Sequence, residues 1–224
     1  MRRLRVSWAS GLPLMAEVGP TEGMQAMTSL PESRYVSLIE RIKAQHAWEL
    51  QQGWKTAESI YPPATEEQLR ASEQALGFPL PPLLRTLYAQ VANGGFGPDH
   101  GIKGAMGGFA GDLGTIVDMY LEDMEEVRQG RAQLVDLAAY EPLAYDIDVR
   151  NIGYTVVLNR IIELPERALP ESLLGFYSHG CGIFSNIDLN TGRIFLDSHP
   201  YLYYEANTLE EWLERWLDEA EKGR

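Results

Sequence analysis

Cysteine is nearly missing from this 224-residue chain: Cys181 is the only one. A lone thiol excludes an internal disulfide and a cysteine-rich structural zinc site, and it fits a reducing compartment such as the cytoplasm. Long hydrophobic runs are missing too. No window approaches the roughly 18 consecutive apolar residues of a spanning helix. Positive charge is scarce, with 19 Lys and Arg against 32 Asp and Glu and a formal net charge of −13. The deficit is uneven: residues 1–60 carry seven basic and six acidic side chains, residues 61–224 twelve and twenty-six. Such an excess repels nucleic acid and anionic lipid and draws in basic partners by long-range steering. The basic, aromatic-interleaved patch of a nucleic-acid binder is also missing.

What the chain does have is enough apolar material for a core, 45% hydrophobic and 10% aromatic residues, without the composition of a disordered protein. The first 30 residues read as a disordered leader or a mis-assigned start, with Met15, Met24 and Met27 as alternative starts. A secretory signal needs an unbroken apolar core, and Ser7, Ser10, Gly11 and Pro13 interrupt this one. Residues 31–224 show no internal repeat and no dividing linker, so they read as one domain.

Tyr35, Leu38, Ile39 and Ile42 recur at helical spacing. In "YPPATEEQLRASEQALGFPLPP", Thr65 and Gln68 have the spacing of a capping box, and Gly77 is placed to close the helix in a left-handed conformation with Phe78 folding back. "PPLLRTLYAQVANGG" is a third helix, with Leu83, Leu84, Leu87, Tyr88 and Val91 as its apolar stripe. Residues 101–114 are glycine-rich and read as a loop or a bulged short strand. "TIVDMYLEDMEEV" is a fourth helix with Ile116, Met119, Tyr120 and Met124 inward. "GYTVVL" and "LLGFYSHG" read as strands, and "IFSNIDLNTGRIFLD" as a hairpin turning at Asn190-Thr191-Gly192. A last helix follows a second capping box, Thr208 and Glu211, with Trp212, Leu213, Trp216, Leu217 and Ala220 on one face. Helices, then tightly connected strands, then a helix imply an α+β fold: a mainly antiparallel sheet with helices packed against it.

The search for chemistry finds no anchor. A phosphate-binding glycine loop precedes a helix, whereas Asn93-Gly94-Gly95 follows one, where the helix dipole is negative; the three residues read as a helix stop. No motif places Gly, Lys, Ser or carboxylates as a nucleotide site, kinase or hydrolase would. His46, His100, His179 and His199 show no metal spacing. "SHGCG" sets His179 two residues from Cys181, a thiol with an adjacent base, but nothing in the sequence orients the base; a small buried thiol beside a turn is the plainer reading. No catalytic, metal or cofactor residue is therefore assigned. The densest feature is acidic: Asp112 to Glu126 holds six acids and no base. Such a run is a solvated helix face or a docking surface for a basic protein.

Four stretches carry a resemblance. They are "YPPATEEQLRASEQALGFPLPPLLRTLYAQVANGGFGP", the acidic helix, "LLGFYSHGCGIFSNIDLNTGRIFLDSH" and "TLEEWLERWL". In this order they resemble the SMI1/KNR4 family of the SUKH superfamily over roughly residues 31–222. The resemblance implies a non-enzymatic α+β domain. Bacterial members are similar to immunity proteins that bind and neutralise a cognate toxin, often a nuclease; fungal relatives act as regulators and scaffolds in cell-wall signalling. Partner contacts vary within the family, so no contact residue carries over. Charge density alone selects Asp118, Glu122, Asp123, Glu125 and Glu126 as contacts for a basic toxin domain. The alternatives are a scaffold unrelated to toxins and, more remotely, a hydrolase using Cys181 and His179.

Overall fold

The computed structural model describes residues 35–55, 61–99, 101–140 and 161–224 of the chain. Helix α1 (Val36–Gln51) buries Leu38, Ile39 and Ile42, as their spacing requires. Helix α2 (Glu66–Leu76) starts on the predicted box: Thr65 Oγ1 accepts the Gln68 amide at 3.2 Å, and Gln68 Oε1 accepts the Thr65 amide at 2.8 Å. It ends at Gly77, whose φ of 82° is the left-handed cap. Helix α3 (Pro82–Gln90) buries Leu83, Leu84, Leu87 and Tyr88. Helix α4 (Ile116–Arg128) buries Ile116 and Val117, while Met119, Tyr120 and Met124 are half-buried. Helix α5 (Leu209–Lys222) buries Leu209, Trp212, Leu213 and Leu217.

Among the described residues, strands β2 (Ile161–Glu163), β4 (Leu173–Gly180), β5 (Ile183–Asp188), β6 (Ile194–Ser198) and β7 (Tyr201–Ala206) form one antiparallel sheet in the order β2-β7-β6-β5-β4. Strands β1 (Gln133–Val135) and β3 (Ala168–Pro170) pair in parallel as a separate small sheet. The fold class is α+β, as the order of elements implied.

One face of the large sheet, with Leu174, Phe176, Ile187 and Ile194, shares a core with α1 to α5. The other carries Phe195 and Leu202, which cluster with Leu137 and Ala168. Both faces are therefore partly covered, and simple inside–outside alternation fails along β5: Ser185, Asn186, Ile187 and Asp188 are all buried. The strand read at 153–158 and the leader read at 1–30 lie outside the described residues.

The Asn-Gly-Gly reading needs revision. Helix α3 stops at Gln90, before the glycines are reached. Asn93 is instead a buried junction. Its Oδ1 accepts the Ala105 amide at 2.8 Å, its carbonyl accepts the Phe109 amide at 2.8 Å, and its own amide donates to Pro62 O at 2.9 Å. Gly94 has φ 82°, and a Cβ there would come within 2.5 Å of Gly104 N, so only glycine lets the two loop segments touch.

Candidate functional site

All five acidic residues selected from the sequence lie on α4. Asp118, Glu122, Glu125 and Glu126 follow i, i+4, i+7, i+8 spacing and so share one face. Their availability differs. Asp118 Oδ2 accepts the Thr115 amide and the Thr115 hydroxyl, each at 2.8 Å, and completes a capping box at the start of the helix. Glu125 pairs with Arg128 and Gln129, and Glu126 takes Arg131 Nε at 2.8 Å. Glu122 and Asp123 are exposed. Although Asp123 is exposed as a residue, its carboxyl lies against the protein and loses hydration; this, reinforced by Glu122, Asp197 and Glu126, pushes its pKa up to about 6. Asp197 on β6 is likewise raised to about 6 by burial, and its Oδ1 has no hydrogen-bond partner among the described residues. The acidic surface thus extends from α4 towards the end of β6.

Among the described residues no hydrogen bond joins Cys181 to His179. Pairing of β4 with β5 shifts between Ser178 and Gly180, and the loop between the strands is Cys181-Gly182, with φ of 52° and 77°. Two residues at positive φ are what a tight hairpin turn of the primed kind demands. Cys181 is therefore exposed at a turn tip, not buried beside one. His179 Nε2 lies 2.8 Å from the Ser185 hydroxyl on the neighbouring strand, and burial lowers its pKa to about 4. Ser185 in turn donates to Glu205 on β7 at 2.6 Å. Glu205 is buried, which raises its pKa, although hydrogen bonds from Ser185 and Trp212 favour its charged form. This His–Ser–Glu chain crosses the sheet and ends on α5. Reading the sequence alone missed it because its members are separated along the chain and no local pattern links them.

A second region lies where Trp54 and Lys55, residues 97–99 and 101–113, and the β4–β5 turn converge on a cleft of about 600 Å³. Lys55, Lys103, Asp99 and Asp112 line it, with Trp54 and Cys181. Lys55 Nζ donates to the carbonyls of Gly97 at 3.0 Å and Asp99 at 2.9 Å, and Lys103 Nζ to that of Ala110 at 2.6 Å. Burial lowers the pKa of both lysines. Among the described residues, no group of three or more His, Cys, Asp or Glu is placed to hold a metal ion. No described helix is long and apolar enough to cross a membrane.

No curated protein matches the chain in a sequence comparison. The model of the SMI1 / KNR4 family (SUKH-1) matches residues 63–215, from the segment leading into α2 to the middle of α5. With the capped helix α2, helix α3, the Asn93 junction and the antiparallel sheet all inside that span, the chain belongs to the SMI1/KNR4 (SUKH-1) family.

Proposed function

We propose that this protein is an immunity protein: a non-enzymatic domain that neutralises a cognate toxin, of nuclease type, by stoichiometric binding. The observation that carries the reading is membership of a family whose bacterial members resemble such proteins. The charge supports it. A nuclease is basic where it holds phosphates, and a chain of net charge −13 approaches such a surface under long-range attraction.

The acidic face of α4 is the docking surface in this reading. Glu122 and Asp123 meet the toxin directly, and Glu125 and Glu126 exchange their intramolecular arginines for those of the partner. Asp118 contributes to the same field while capping the helix. Affinity comes from apolar anchors buried on contact; the acids set the rate of encounter.

Co-expression with the toxin encoded beside its gene tests the reading. Restored growth together with a co-eluting complex is the expected result. Unprotected cells with no complex on gel filtration would sink it, and an endogenous partner captured from cells lacking any toxin gene would favour the scaffold role instead.

A further inference from the structure

We propose that the cleft between Trp54 and Lys55, residues 97–99 and 101–113, and the β4–β5 turn is a binding site for a small oxyanion, a carboxylate or a phosphate, held by Lys55 and Lys103. The inference is independent of the toxin reading.

Lys55 and Lys103 are 8% and 4% exposed, an unusual state for ammonium groups. Withdrawing such a charge from water costs several kcal/mol unless a counter-charge or a full set of acceptors replaces the lost hydration. Only part of this is supplied: Glu49 and Asp99 act on Lys55, and Asp112 on Lys103, through space and without a direct ion pair. No carboxylate oxygen lies within 4.0 Å of either Nζ among the described residues; the ion pairs there all involve other cations. An ammonium carries three N–H donors. Lys55 uses two of its three on carbonyls and Lys103 uses one, which leaves three donors between two lysines that line one cleft.

The acids nearby do not complete the set. Asp99 Oδ2 is occupied by the Tyr177 hydroxyl at 3.1 Å. Asp112 is exposed and acts on Lys103 only through space. Phe109 lies beneath the Lys103 ammonium at 5.8 Å and closes one side of the cleft without supplying an acceptor oxygen. A bound oxyanion would satisfy the spare donors and offset the desolvation that now depresses both lysines. The overall charge of −13 sharpens the inference: diffuse attraction of anions is excluded, so saturable binding must come from a local site.

Titrating the full chain with inorganic phosphate and, separately, with succinate tests this, at ionic strength held constant with sodium chloride. Trp54, 66% exposed at the rim, reports by fluorescence. Saturation with phosphate alone marks a phosphoryl ligand, with succinate alone a carboxylate, and either supports the site. Lys103→Met should weaken binding about tenfold or more, the loss of one charge-assisted contact. Asp112→Asn, at an exposed position where folding is not at stake, should tighten it several-fold by removing an opposing charge. Flat titrations with both anions, or unchanged affinity in Asp112→Asn and in folded Lys103→Met, would overturn the proposal.

Discussion

The Ser185 hydroxyl donates to Glu205 Oε2 at 2.6 Å, so a residue of β5 holds the carboxylate of a residue two strands away on β7. Ser185 is fully buried, and the same oxygen lies 2.8 Å from His179 Nε2. Replacing Ser185 by Ala leaves Glu205 short of a partner inside the core. The expected loss is about 2 kcal/mol, the usual cost of an unsatisfied buried group, measured by urea unfolding at pH 7. An unchanged midpoint would show that the network contributes nothing to stability.

His179 on one side and the carboxyls of Asp197 and Asp123 on the other give the fold opposite responses to acid. His179 titrates at about 4 in the fold against an ordinary 6.5, so between those values the unfolded chain binds the extra proton and stability falls as pH drops. Asp197 titrates at about 6 against 3.8, so in that window the fold holds the proton and stability is lost as pH rises. Asp197→Asn removes the share of the second effect that belongs to Asp197 and relieves Asp123 of one neighbouring charge. At pH 7 the variant should be more stable by about 1–2 kcal/mol, discounted for partial solvent access, with the gain gone below about pH 4. A gain of equal size at both pH values would contradict the assignment.

Gly77 and Gly94 share a φ of 82° and differ in surroundings. A Cβ at Gly77 meets nothing within 4 Å, whereas one at Gly94 would strike the Gly104 backbone at 2.5 Å. Gly77→Ala should cost about 1–2 kcal/mol, the left-handed penalty alone. Gly94→Ala carries that penalty and an overlap that only backbone movement relieves, so it should cost clearly more and reach the range of severe core mutations. Equal costs by thermal unfolding would mean that the close approach of Gly94 to Gly104 does not constrain the junction of residues 93–95 with 101–109.

What could be read from the sequence was local. Thr65 and Gln68 cap α2 as their spacing predicts, because a capping box involves four consecutive residues. The box read at Thr208 is only half formed: Thr208 Oγ1 accepts the Glu211 amide at 3.1 Å, but the Glu211 carboxylate reaches past it to the Asn207 amide at 2.9 Å. The Thr115–Asp118 box was overlooked because aspartate replaces the usual longer side chain. The turn at 190–192 and the stripe of α5 were visible for the same local reason. The Asn93 junction, the His179–Ser185–Glu205 chain and the lysine cleft were not. Each depends on loops and strands brought together by the sheet, and no periodicity records that.

Within the acidic face, stability and recognition separate. Asp118→Ala removes the acceptor that ties down Thr115 and should cost about 1 kcal/mol in thermal stability. Glu122 is exposed, makes no hydrogen bond or ion pair among the described residues and acts on Asp123 only through space, so Glu122→Lys should leave the folding free energy nearly unchanged. If α4 docks the toxin, the same reversal should slow association severalfold and flatten its dependence on salt, as rim charges do. Stopped-flow measurement of the association rate decides, and an unaltered rate would remove α4 from the interface.

The most direct measurement of the central claim is a calorimetric titration of the purified chain with the toxin domain encoded beside its gene, repeated at low and at physiological salt. The account predicts a saturating complex of fixed stoichiometry that abolishes toxin activity at equivalence and weakens as salt approaches about 0.15 M, where exposed charges are screened beyond about 8 Å. No binding heat, or a toxin that remains fully active with the chain in excess, would contradict it.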